Sequence, residues 1–519
     1  MLNLISKSRF MLVFALPFFL GCVSVFSFQP FNFSIINFFV FPILFLILSF
    51  INKLSKNTYR KKPYLRNLFF VGYFFGIGFF LTGSYWISHS LQFDETFKSL
   101  IPFAITLLPI FLGLFFGFCT LICGPFLKLD LKSIFLFSST FSLFDYIRSK
   151  IFTGFPWNLW SYSWSWFEEV LQILNPIGLF AFNFLVIIFF SIPSILFFKN
   201  YNQKYFVAII SLSLFFFNYI YGNMIINKNL LQIKNLNSKT DFINIKIVSP
   251  NFDLKYNLDN RELIDRIKKL IKYSEPDKEK ETLFIWPEGA LSGQYFNDLK
   301  KFNKNIKENF SDKHFIALGV NTRDGKKFFN SFLIVDNNFE KKYQYDKVKL
   351  VPFGEFLPFN KTLEKFGFKK VTEGFGSFSV GKLSRGYSYK GQNIIPLICY
   401  EIIFTELLQK DHSKNIVAVN ISEDAWFGDS IGPHQHFAKS IFRAIESNSF
   451  ILRSANKGIS AVINNKGQVV KSLKSNESGN LEYALPVLKK KYKNKNDLIF
   501  FILLITNILI FIILKKNEK

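Results

Sequence analysis

"QNIIPLICYEIIF" (residues 392–404) decides how the whole chain is read. The run is apolar and β-branched up to Ile398, in the manner of a core strand, and then meets Cys399, Tyr400 and Glu401. A cysteine closing such a run is ordinarily a small buried hydrophobe. Presented in a loop beside a base or a cation, the same thiol becomes a nucleophile. The choice depends on what the rest of the chain places near it.

Outward from this stretch, residues from about 241 to 488 alternate short β-like runs with amphipathic ones, an α/β pattern. Strands are expected at 243–249, 282–286, 314–320, 328–336, 393–399, 415–420, 450–454 and 459–464. Helices are expected at 258–275, with one apolar face through Leu263, Ile264, Ile267, Leu270 and Ile271, and at 436–448. Residues 471–480, "KSLKSNESGN", read as a polar turn region.

On both sides of this domain the composition is that of a membrane protein. The chain has 519 residues, 71 of them Phe, and most of these precede about position 225. Seven apolar runs there have spanning length: about 9–28, 34–52, 67–90, 101–127, 132–151, 168–198 and 203–222. An eighth lies at 497–514. The first also resembles a secretory signal, with Lys7 and Arg9 before "FFLGC" (18–22), but Phe19 suits a cleavage site poorly and an uncleaved helix is simpler. The expected organisation is therefore 1–225 helical and membrane-embedded, 226–490 an outer α/β domain, and 491–519 a last helix with a short tail.

Lysine and arginine in short loops set the orientation. Lys7 and Arg9, then Lys53, Lys56, Arg60, Lys61, Lys62 and Arg66, belong on the cytoplasmic side, and Lys128, Lys132, Lys199 and Lys204 agree. Seven crossings then carry the α/β domain outside. "KKKYKNK" (489–495) runs against this rule and is expected against anionic headgroups. The net charge of +26 is explained by membrane-flanking lysines and a solvated outer domain. No zinc-finger spacing or RNA-binding aromatic signature accompanies it, so nucleic acid is not an expected partner. Of the four cysteines, Cys22, Cys119 and Cys123 fall in expected helices. Cys399 alone lies in the outer domain, where an unpaired thiol calls for a reason.

Two further stretches offer it company. "FIWPEGA" leads from a strand to Glu288, and "YDKVKLVPFGEFLP" (345–358) holds Lys347, Lys349 and Glu355 around a turn. Singly, Glu288 reads as an N-cap or surface carboxylate and Lys347 as a solvated lysine. Together, Glu, Lys and Cys in this order on an α/β domain resemble the nitrilase, or carbon–nitrogen hydrolase, superfamily. The membrane frame resembles its apolipoprotein N-acyltransferase branch, through "GFPWN" (154–158), "WPEGA" (286–290), "YDKVKLVPFGEFLP", "CYEI" (399–402), "DAWFGDSIGPHQH" (424–436), "FRAIE" (442–446) and "RSANKGIS" (453–460).

The resemblance implies an α-β-β-α sandwich in the periplasm, attached to eight helices in the bacterial inner membrane. It implies transfer of an acyl chain from a phospholipid, phosphatidylethanolamine-like, to the α-amino group of an apolipoprotein's diacylglyceryl-cysteine. No cofactor is implied. Glu288 becomes the general base, Lys347 the oxyanion stabiliser and Cys399 the nucleophile that carries a thioester. Glu355, Tyr400 and Glu401 match supporting positions, and Trp157, Trp426 and Phe427 are candidates for lining a lipid entrance or lid. The tryptophans of 154–166 also fit an interfacial belt. His434 and His436, two apart with no second cluster, fit capping or packing rather than a metal. Asp145 and Arg148 are spaced to pair on one helix face.

The chain departs from the pattern at Glu423, where an Asn is usual, at "SNSF" (447–450), and at Tyr256, where a Trp is expected. Two rivals share parts of the reading. One is a tethered amidase using the same triad; the other is a transporter or sensor, which would need more intramembrane charge than Asp145 and Arg148 supply.

Overall fold

The computed structural model describes residues 8–57, 63–93, 95–199, 201–236, 242–255, 258–358, 377–383, 385–408, 415–488 and 497–516. Tyr256 and the lysine run 489–495 lie outside the described residues. The chain forms two compact units, Met1–His89 with Lys98–Ile225 and Lys495–Lys519, and Ser90–Phe97 with Ile226–Asn494.

The first unit is helical, and each expected span falls on helix. Among the described residues, six helices are long and apolar enough to cross a membrane: Ser34–Leu54, Tyr64–Phe93, Phe97–Phe126, Leu179–Phe197, Lys204–Lys234 and Leu498–Lys516. The other two expected spans are a shorter apolar helix, Met11–Ser27, and the serine-rich helix Leu131–Lys150. The run at 168–198 is not one helix. Pro176 and Gly178, at φ +82°, break it, and the long helical part starts only at Leu179. Lys204–Lys234 runs well past its expected end and buries only 6% of its most apolar stretch, so it presents its apolar surface outward.

Close helix packing rests on missing side chains. A Cβ at Gly72 would lie 2.2 Å from the Phe116 carbonyl, and one at Gly78 would lie 2.1 Å from that of Phe18. Asp145 and Arg148 pair at 2.9 Å, fully buried. Arg148 also donates to the carbonyls of Phe155 and Trp157, and Asn183 donates to Asp145. This pair therefore pins the loop that follows its helix. Trp157, Trp160 and Trp164 are buried, and only Trp166 is exposed, so the interfacial-belt expectation fits one tryptophan of the four.

The second unit has two six-stranded sheets. The first has the order β12-β1-β2-β3-β4-β5, with β1 (Phe242–Ser249), β2 (Thr282–Ile285), β3 (His314–Asp324), β4 (Lys327–Val335), β5 (Lys341–Asp346) and β12 (Gly479–Pro486). The second has the order β11-β10-β9-β8-β7-β6, with β6 (Tyr387–Tyr389), β7 (Gln392–Ile398), β8 (Ile416–Glu423), β9 (Phe450–Asn456), β10 (Ser460–Ile463) and β11 (Val469–Leu473). Each keeps three parallel strands at its centre, β1-β2-β3 and β7-β8-β9, flanked by antiparallel ones.

One core lies between the sheets, where Ile245, Ile285 and Ile334 meet Ile394, Val419 and Leu452. The helix Asn260–Ser274 covers the outer face of the first sheet, packing Leu263, Ile267 and Leu270 onto Phe284, Ile316 and Leu333. Asp259 and Glu262 close its N-terminus as a capping box. The helix Gly432–Ser447 contacts β9 and β10 of the second sheet. The layers are thus the expected α-β-β-α sandwich. The helix starts four residues before the expected 436, because Pro433 fits the first turn.

Candidate active site

The candidate residues stand just beyond strand ends. Glu288 follows β2 through Trp286 and Pro287, Lys347 follows β5 directly, and Cys399 follows β7 directly. A loop at a parallel strand's carboxyl end is where an α/β fold offers side chains to a ligand.

Cys399 begins a short 3-10 turn, Cys399–Ile403, with φ +50°. A non-glycine residue there costs about 1–2 kcal/mol, so the elbow must be held by its surroundings. Glu401 does the holding. Its Oε2 accepts from the Ile398 N–H at 2.8 Å. Its Oε1 accepts from the Tyr345 hydroxyl at 2.8 Å, the Val348 N–H at 2.8 Å and the Lys349 N–H at 3.1 Å. One buried carboxylate therefore joins the Cys399 turn to the loop that carries Lys347. Asn420 on β8 adds a bond to the Cys399 carbonyl at 3.4 Å.

Lys347 is buried, with Nζ 2.9 Å from Glu355 Oε1 and 3.8 Å from Glu288 Oε1. Asn330 on β4 bridges the two carboxylates, donating to Glu288 at 2.7 Å and to Glu355 at 2.9 Å. The Val351 N–H holds the other oxygen of Glu355 at 2.8 Å. Lys347 is thus not a solvated lysine: directly after β5 it enters a cage of two carboxylates, Glu355 and Glu288.

The charges act on one another. Burial pushes the Glu288 carboxyl up against the pull of Lys347. Burial opposes the Lys347 ammonium, yet Glu355 and Glu288 outweigh it and hold the lysine charged. Burial and the Glu288 carboxylate push the Cys399 thiol up, against Lys347 and the nearby Ser422 side chain. The resting thiol is therefore neutral. Glu288 and Cys399 are thus both displaced upward, each mainly by burial.

Behind the cysteine lies a buried network that the sequence did not announce. Asp424 accepts from the Ser422 hydroxyl at 2.6 Å and the Arg453 guanidinium at 2.7 Å, and lies 3.1 Å from His436 Nδ1. Arg453 also donates to Asn420, which links the network to the Cys399 carbonyl. His436 is packed rather than capping, in the second turn of its helix with a T-shaped contact to Phe427. Trp426 meets Phe93 edge-on at 5.4 Å between centroids, and Tyr400 meets Phe404 at 5.2 Å. Among the described residues, no group of three or more His, Cys, Asp or Glu side chains is placed to hold a metal.

Comparison with known proteins gives this arrangement a family. Residues 20–192 match the apolipoprotein N-acyltransferase N-terminal domain and residues 247–487 the carbon-nitrogen hydrolase domain. An apolipoprotein N-acyltransferase of Rickettsia typhi is 34% identical over 80% of this chain and 82% of its own. The chain belongs to the apolipoprotein N-acyltransferase family. One from Brucella melitensis is 29% identical over 90% of this chain and 88% of its own. Among solved structures, an amidase from Nesterenkonia sp. aligns over 48% of this chain and 92% of its own, at 17% identity and a TM-score of 0.36. As a family member the chain is an acyltransferase of the nitrilase superfamily with a cysteine-based active site.

Proposed function

We propose that the chain takes an acyl group from a membrane phospholipid onto Cys399 and passes it to the α-amino group of an apolipoprotein's diacylglyceryl-cysteine. N-acylation of a lipoprotein's N-terminal cysteine follows from family membership. The donor, the thioester and the residue roles are our reading. The observation that carries it is the Lys347 ammonium set between Glu355 and Glu288, with the Cys399 thiol within its electrostatic reach.

In the first half-reaction, Cys399 Sγ attacks the ester carbonyl as its proton passes to Glu288. The C–S bond forms and the oxyanion develops against Lys347, a term worth about 3–4 kcal/mol in comparable sites. The C–O bond then breaks, and the departing glycerol oxygen takes the proton back from Glu288. In the second, the neutral amine attacks the thioester and gives a proton to Glu288, the C–N bond forms, and the leaving thiolate recovers that proton. Glu355 keeps Lys347 in place, Glu401 positions Cys399, and Tyr400, Trp426 and Phe427 are assigned to the lipid-facing wall. Trp157 is assigned to the lipid path, although its burial gives it packing work as well. Apolar walls favour the amine over water in the second step.

We place the α/β domain, 226–490, in the periplasm, on eight inner-membrane crossings within 1–225 and 491–519. The supports are the early basic loops and the six long apolar helices, with Met11–Ser27 and Leu131–Lys150 completing the count.

Purified protein incubated with phosphatidylethanolamine is expected to gain a hydroxylamine-sensitive acyl group on the Cys399 peptide, read by mass, which disappears when diacylglyceryl peptide is added. Cys399→Ala is expected to form none. An adduct retained in that variant refutes the site, and no adduct in the parent refutes the thioester route.

A further inference from the structure

We propose that Glu423 works as a neutral carboxylic acid that positions the general base, and that its ionisation at high pH switches the site off. The proposal rests on the roles given above to Glu288 and Cys399.

The geometry singles Glu423 out among the buried carboxylates. It ends β8, pairs with Asn456 across to β9, and is almost fully enclosed. Its own N–H donates to Glu288 Oε2 at 3.1 Å, so Glu423 and Asn330 hold the two oxygens of the base between them. Its side chain turns back beside the same loop. A Cβ on Gly289, the residue after the base, would lie 2.0 Å from Glu423 Oε2, and Gly289 sits at φ +76°. Glycine at 289 thus answers both a left-handed backbone and the closeness of this carboxyl.

The acids nearest to Glu423 have cations, and buried Glu401 instead has four hydrogen-bond donors. Glu288 and Glu355 share Lys347, and Asp424 pairs with Arg453 and His436. Among the described residues, Glu423 has no cation within 4 Å; its partners are the Asn456 amide and the Ala425 N–H. Asn456 cannot turn its oxygen toward Glu423, because that oxygen accepts from the Phe252 N–H while the amide also donates to the Phe252 carbonyl. Oε1 receives two donors, from Asn456 and Ala425, and Oε2 only one. One Asn456 N–H is shared between the two oxygens, so neither contact brings a charge to the carboxyl.

The charged groups that face Glu423 agree. Glu288 and Asp424 repel its ionised form. Arg266 attracts it only from a distance, with its guanidinium occupied by the carbonyls of Asp253 and Ala290. Burial acts in the same direction as the two acids and holds the proton on well above the usual carboxylate range. As pH rises far enough to remove it, a new negative charge appears beside Glu288. That charge opposes both the Cys399 thiolate and the oxyanion, so the rate falls with rising pH.

The test uses full-length protein in detergent with phosphatidylethanolamine. Initial rates of adduct formation on Cys399 and rates of Cys399 alkylation by iodoacetamide are followed from neutral to alkaline pH, in the parent and in Glu423→Gln. The parent's adduct rate is expected to decline about tenfold at the alkaline end, the effect of about 1.4 kcal/mol, and the decline is expected to vanish in Glu423→Gln. The alkylation curve of Glu423→Gln is expected to move to lower pH than the parent's. Superimposable curves for the two proteins overturn the proposal. Should Glu423→Gln not fold, Glu423→Asn, also neutral, takes its place. A parent that alkylates but never acylates refutes the thioester reading instead, and the alkylation curves still decide the role of Glu423.

Discussion

His436 is enclosed between Asp424, Arg453 and the Phe427 ring, and that setting makes it a reporter of acid stability. Burial and the Arg453 guanidinium push its pKa down to about 4, although Asp424 pulls the other way. The folded ring is thus neutral at pH 7, whereas the unfolded chain binds a proton near pH 6.5. As pH falls from about 6.5 to about 4, only the unfolded state gains that proton, and stability declines by about 3 kcal/mol. Asp424 is held below the usual carboxylate range by Arg453 and His436 in spite of burial, so its own contribution is lost only at still lower pH. Thermal unfolding in detergent is expected to weaken across this window in the parent and to be flatter in His436→Gln. A parent with no such decline refutes the neutral, buried ring. This role was not legible in the spacing of the two histidines. Two histidines at i and i+2 excluded little beyond a metal, and their partners lie 12 and 17 residues away in the chain.

Elements carry the site because strand ends deliver it. β7 stops at Ile398 and β5 at Asp346, and the next residue of each is a candidate for catalysis. Glu401 is the tie between those two ends, with four hydrogen bonds on one carboxylate. Glu401→Ala strands three backbone N–H groups and a tyrosine hydroxyl in the core. At about 1–3 kcal/mol for each buried orphan, a loss of at least about 3 kcal/mol is expected in denaturant unfolding, together with loss of the acyl adduct. Glu401→Gln keeps one acceptor and is expected to fall between the two. Equal stability of Glu401→Ala and the parent refutes the role.

The same scale shows what was legible in the sequence. All eight expected strands are present, because alternating or continuous apolar runs mark strands buried on one face or two. The four that were missed, β5, β6, β11 and β12, are an edge or its neighbour in their sheets. "KKYQYD" and "VVKSL" carry charged and polar side chains, which protect sheet edges but erase the apolar signal. Residues 471–480, expected as a turn, begin inside β11 and end inside β12 for that reason. The buried cage around Lys347 was legible only by resemblance, since Asn330 and Glu355 reach it through pairing and turn geometry rather than spacing.

At the scale of the molecule, the apolar helices and the basic loops make an orientation that can be measured. Ser475 lies in the turn between β11 and β12, and a cysteine placed there, in a Cys22, Cys119 and Cys123 replacement background, is expected to react with an impermeant maleimide in intact spheroplasts. A cysteine at position 58, in the basic stretch of sequence with Arg60, Lys61 and Lys62, is expected to react only after lysis. The reverse pattern overturns the periplasmic placement. The helical count also shows the limit of reading length alone. Leu131–Lys150 carries an ion pair and many serines, and its Asp145 and Arg148 are satisfied by Asn183 and by the carbonyls of Phe155 and Trp157 rather than by lipid.

Glu401 has a last consequence at this scale. The proposed nucleophile, Cys399, and the proposed oxyanion partner, Lys347, follow strands of different sheets. A single carboxylate bonded to both loops ties their spacing to one side chain, so Glu401→Gln is expected to loosen that spacing without moving either sheet.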